Sequence, residues 1–112
     1  MKLIWACMDK VIRDGQVAVL YSPGHGAGWS SWNIEYSTEE LIFDPGLVNL
    51  VLGGKEHEEI TVYATLKWPG AYLGGLSELD VKWVPVGAKF QIGEYDGHES
   101  VDVFDEEDWF IA

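Results

Sequence analysis

The chain has 112 residues, 47% of them hydrophobic and six of them tryptophan, enough for one domain whose core needs no metal or disulfide staple. Nineteen acids against seven bases give a net charge of -12, which excludes an extended contact with a DNA or RNA backbone. The apolar content likewise excludes a disordered chain.

Apolar runs are short and flanked by charge, so no membrane-spanning segment is expected. The opening "MKLIWACMDK" is too short for a secretory leader and reads as a first strand over residues 3–8. Cys7 is alone, which rules out an internal disulfide and suits a small core residue in a reducing cytoplasm. Asp14-Gly15 supplies a hairpin turn, and "QVAVLY" follows with Val17, Val19 and Tyr21 on one strand face.

Residues 21–33, "YSPGHGAGWSSWN", form the most unusual segment. Gly24, Gly26 and Gly28 allow close approach of the backbone to another group, so amide N–H groups could form an anion-binding nest. No Lys-Ser/Thr follows and the GxGxxG spacing is absent, so neither a Walker loop nor a dinucleotide fingerprint is present. What remains is a set of donors (the amides, Ser22, Ser30, Ser31, Asn33) beside the flat rings of Tyr21, Trp29 and Trp32. Donors for polar edges and a ring for stacking are what a small nucleotide requires. The alternative is that both tryptophans anchor the core while the glycines turn the chain beneath them.

Further along, "FDPGLVNLVLGG" carries helix punctuation: Asp44 as N-cap, Pro45 at the first position and Gly53 at the end. "KEHEEITVYATLKWPG" fits either period. Ile60, Tyr63, Ala64 and Trp68 make a helix face, while Ile60, Val62, Ala64, Leu66 and Trp68 alternate as a strand. The acidic start and the Pro69-Gly70 stop favour helix. From Leu79 onward the pattern is β again, with Asp96-Gly97 suited to a type I′ turn between "KFQIGEY" and "ESVDVF". The fold class expected is α+β: an antiparallel sheet of N- and C-terminal strands with two central helices on one face.

Other chemistry is weakly signalled. His25, His57 and His98 have no metal spacing, and neither a zinc site nor a cofactor is expected. Glu94 and Asp96 with Glu99 across the turn could do acid–base work or bind a cation, although acids at a hairpin end are ordinarily solvated. The terminal "DVFDEEDWFIA" reads as an acidic edge with Trp109, Phe110 and Ile111 tucked back or presented to a partner.

With "SPGHGAGWSSWN", the Asp44-Pro45 helix and "EYDGHES" together, residues 21 to about 101 resemble a set of small phage and prophage proteins. Their pattern is close to SPGxGAGWSxWN with a later EYDGxE. The resemblance implies no catalytic residue. It implies an antagonist of bacterial immunity acting in the host cytoplasm, either a sponge that sequesters a nucleotide signal or an anti-CRISPR-type inhibitor of an effector. The expectation is a non-enzymatic sponge. Gly26 and Gly28 amides would meet a phosphate or ribose, Trp29 would stack on a base, and Ser22, Gly24, His25, Ser30 and Asn33 would line the pocket. Tyr95, Asp96 and Glu99 would close its far side. A homo-oligomer would suit that role. The alternatives are an acidic protein that blocks a basic immune effector, and a small nucleotide hydrolase using His25 with Glu94 or Asp96.

Overall fold

The computed structural model describes residues 10–24 and 28–104. The expectations for residues 3–8, Cys7, His25, Gly26 and the terminal Trp109, Phe110 and Ile111 lie outside them. The fold is α+β, with antiparallel strands at both ends of the described chain and helices between.

β1 (Ile12–Arg13) turns through Asp14 and Gly15, with φ of 52° and 76°, into β2 (Gln16–Tyr21). Positive φ at both turn residues is the type I′ geometry that matches strand twist, and Asp-Gly tolerates it. β3 (Asp80–Pro85) pairs antiparallel with β2, Val17 opposite Val84 and Leu20 opposite Val81. The first sheet thus joins N- and C-terminal strands in the order β1-β2-β3. β4 (Lys89–Tyr95) and β5 (His98–Phe104) form a second, separate sheet around Asp96 and Gly97, with φ of 55° and 84°. This division departs from the single shared sheet expected.

β2 is the central strand and is buried on both faces. Ala18 and Leu20 face a core built from Trp29, Leu41, Leu47, Val48, Ile60, Ala64, Trp68 and Leu76. Val17 and Val19 face the other way, onto Ile42, Phe43, Val84 and Val101, with Phe90 and Ile92 packed against them. The odd-numbered face read from "QVAVLY" is therefore correct, and the even-numbered face is buried too. The helices cover one side of the strand, and the β4–β5 hairpin together with Ile42 and Phe43 at the end of the first helix covers the other.

Three helices lie between the strands, one more than expected. α1 (Thr38–Phe43) is capped by Ser37, whose Oγ accepts from Glu40 N, and its first turn holds Glu39 and Glu40. α2 (Pro45–Leu52) starts at Asp44, whose Oδ2 accepts from Leu47 N at 2.9 Å. The same carboxylate accepts from Tyr63 Oη at 2.6 Å and pairs with Lys67 Nζ at 3.2 Å, which ties α2 to α3. Burial pushes the Tyr63 phenol up, and the hydrogen bond to Asp44 adds to it. The left-handed residue after α2 is Gly54, with φ of 66°, rather than Gly53.

α3 (His57–Lys67) settles the ambiguous segment as helix. Ile60, Ala64 and Trp68 are buried at a spacing of four, while Val62 and Leu66 are exposed. A strand would have placed all five on one face. Leu66→Gln should accordingly change stability by no more than about 0.5 kcal/mol. Leu47→Ala, at a fully buried site, should cost about 2–5 kcal/mol. Urea midpoints of the two variants check this; a large loss from Leu66→Gln would contradict the helix phase.

Candidate functional site

The glycine segment and the β4–β5 turn do meet, as expected, but the contact is internal. Glu99 lies just after the turn and is 1% exposed. Its Oε1 accepts from Ser22 N at 2.8 Å, and its Oε2 accepts from Trp29 N at 2.7 Å and Ser31 N at 3.0 Å. Ser31 Oγ donates to the same Oε2 at 2.5 Å. Glu99 N in turn donates to Ser22 O at 2.8 Å, so β5 is bridged to the end of β2. Among the described residues no lysine or arginine is paired with this carboxylate. It is compensated among the described residues by amide and hydroxyl donors, as a bound anion would be in a nest.

That arrangement corrects several assigned roles. Amides do converge on an anion, but they are those of Ser22, Trp29 and Ser31 rather than Gly28, and the anion is Glu99, which is not a far wall accepting from a ribose. Trp29 cannot stack on a base, because its ring is fully enclosed, edge-to-face with Trp68 at 5.5 Å, and its Nε1 donates to Leu41 O. Ser22, Gly24, Gly28 and Ser30 are all buried, and Ser30 Oγ has no hydrogen-bond partner among the described residues. Gly24 and Gly28 do not serve positive φ. Gly28 permits close packing instead: a Cβ there would lie 2.7 Å from both Ser31 Oγ and Trp32 Cδ1. Tyr95 and Asp96 are exposed at the hairpin tip and do not meet the segment's amides.

Trp32 takes the opposite place from Trp29. The single 3₁₀ turn Ser30–Trp32 rotates it outward, and it is 39% exposed. Its ring lies 5.1 Å from that of Tyr72, tilted by 50°, and Tyr72 is exposed as well. Its Nε1 donates to Glu94 Oε2 at 3.2 Å, and Gly97 N donates to the same oxygen at 2.6 Å. The Gly97 amide, then the indole, holds the Glu94 carboxyl below its usual range. Glu94 thus braces the hairpin turn against Trp32 and forms no acid pair with Asp96. Among the described residues no group of His, Cys, Asp and Glu could hold a metal ion.

Beside these rings is a cleft of about 180 Å³, lined by Trp32, Asn33, Ile34, Glu35, Tyr36, Gly70 and Tyr72. Asn33 stitches its walls together. Nδ2 donates to Trp29 O at 2.8 Å and Tyr72 O at 3.0 Å, while Oδ1 accepts from Tyr72 N at 2.6 Å. Tyr36 Oη adds a bond to Pro69 O at 2.5 Å. Of the residues expected to bind a ligand, Asn33 alone lines this cleft, and there it acts as a brace. Trp32 was one of the rings offered for stacking, whereas Ile34, Glu35 and Tyr72 were not singled out as ligand contacts. Their signal was faint: an aromatic residue with charged and apolar neighbours in "WNIEY" and a second in "PGAYLGG", loops that only the fold brings together. No protein-family model, curated protein or solved structure matches this chain.

Removing Glu99 tests the nest. Each buried donor left without a partner costs about 1–3 kcal/mol, so Glu99→Ala, which strands three amides, should cost about 3 kcal/mol or more. Formate, added at constant ionic strength, should restore part of the lost melting temperature in Glu99→Ala and leave the wild type unmoved. A variant as stable as the wild type would contradict the assignment.

Proposed function

We propose that the protein is a non-catalytic binding module that engages a basic protein through its acidic surface, centred on Trp32, Ile34 and Tyr72. The observation that carries this reading is the double assignment of the loop. The amides of Ser22, Trp29 and Ser31 are taken by Glu99, and the apolar groups left in solvent are Trp32 near the end of the loop and Ile34 and Tyr72 beyond it, with Ile34 87% exposed. Exposed aromatic residues ringed by charge are the usual anatomy of a protein-binding patch. A net charge of -12 would speed encounter with a cationic partner and reject anionic ones.

The same charge disfavours a nucleotide phosphate, and the cleft is below the roughly 300–1,000 Å³ of sites that enclose drug-sized ligands. Support therefore moves from the sponge to the inhibitor among the readings drawn from the sequence. On the resemblance to phage proteins, the partner would be a basic protein of host defence in the bacterial cytoplasm.

Two measurements test this together. Cyclic dinucleotides and ADP-ribose derivatives should leave the melting temperature unchanged, since a ligand of the native state would raise it. A basic protein captured from bacterial lysate should be released by raised salt and lost with Tyr72→Ala, yet retained by Tyr95→Ala. A nucleotide that stabilises the protein, with the effect abolished by Ser31→Ala, would restore the sponge in its place.

A further inference from the structure

The cleft beside Trp32 is selective in which polar groups it leaves unused. The indole N–H of Trp32 is donated to Glu94, both protons of Asn33 Nδ2 go to backbone carbonyls, and Tyr36 Oη donates to Pro69 O. These side-chain donors of the lining are thus already committed to acceptors of the protein itself. What the cleft presents besides is the acidic residue Glu35 on its lining and the exposed rings of Trp32 and Tyr72, the latter with its hydroxyl. A ring face is attractive to cations, and a carboxylate bonded to the indole N–H adds negative potential at its edge. Among the described residues the cations that lie over rings are Lys10 on Phe43 and Arg13 on Trp83, so none covers this pair.

Taking these together, we propose that the cleft receives one arginine side chain of the partner, its guanidinium over Trp32 and Tyr72 and its N–H fork on Glu35. This deepens, and rests on, the reading of the protein as a module for a basic partner. Arginine fits better than lysine for physical reasons. Its planar, weakly hydrated head stacks on aromatic rings and forks to a carboxylate, whereas an ammonium is a strongly hydrated point charge. The volume of about 180 Å³ suits a single side chain. The walls are set beforehand by Asn33 and Tyr36, so little ordering is left for binding to cost. Gly70, with φ of 83°, turns the chain at the rim of the cleft.

The test is an NMR titration of the whole chain, observing the six indole N–H signals and the backbone amides, with a short glycine–serine peptide bearing one arginine. The control is the same peptide with citrulline, which keeps the shape and removes the charge. The arginine peptide should shift Trp32 Nε1–H together with the amides of Glu35 and Tyr72. Citrulline should not, and Trp32→Ala should weaken the arginine peptide roughly fivefold. Equal shifts from the citrulline peptide would overturn the cationic assignment. Shifts scattered over other acidic residues, with Trp32 silent and Trp32→Ala without effect, would overturn the cleft and leave the acidic-surface reading standing. No shift anywhere at low salt would count against both.

Discussion

One buried carboxylate organises this molecule. Glu99 is removed from water, with no lysine or arginine paired to it among the described residues, and it holds Ser22, Trp29 and Ser31 by their amides. An uncompensated buried charge would be costly, so the loop must be shaped to supply those donors. The consequences run in both directions along the chain. Held by its own N–H, Trp29 is set into the helical core against Trp68. Two residues beyond, Ser31 doubles the grip, and the 3₁₀ turn that includes it rotates Trp32 outward. On the other side of the bond, β5 is fastened to the end of β2, and Val101 is brought onto Val17 and Val19. The two cores on either face of β2 are thus connected through one side chain.

Function follows from what that arrangement leaves over. A loop rich in amides normally invites an anion, but here the protein furnishes its own. In the proposed function, recognition then falls to a surface where the donors of Trp32, Asn33 and Tyr36 are already committed and ring faces and a carboxylate are presented. In the proposed reading such a surface discriminates by charge sign more than by shape: the acidic chain repels anions, while a guanidinium finds both a ring and an acceptor. Trp32 and Tyr72 stand side by side on this acidic chain, where apolar contact can add to an electrostatic attraction that salt screens.

Much of the fold was legible because its signals are local. Asp14-Gly15 and Asp96-Gly97 must adopt positive φ, and both do. Asp44-Pro45 begins a helix because the carboxylate caps a free amide and proline lacks one, and Leu47 N confirms it. The acidic start of α3 and its proline stop outweighed an alternation that fitted a strand equally well. α1 could have been found too: Ser37 and Glu40 stand in capping-box spacing before Leu41, Ile42 and Phe43, and Ser37 does cap it. The separation of β4–β5 into its own sheet was not readable, because a hairpin's alternation says nothing about which sheet it joins.

At the site, the loop and the "EYDGHES" turn were correctly brought together, and their chemistry was inverted. An acid near a turn ordinarily faces water, and only the three-dimensional convergence of Ser22, Trp29 and Ser31 reveals Glu99 as buried. That Trp29 points inward and Trp32 outward was hidden for a related reason: three residues apart in an irregular turn, they share no period that assigns one inward and the other outward. The most direct test of the account is native-state amide hydrogen exchange at Ser22, Trp29 and Ser31. If Glu99 holds these amides as part of the core, they exchange only on global unfolding, with the same free energy as the amides of Val19 and Leu20. Exchange at the rate of an open loop, while β2 stays protected, would contradict it.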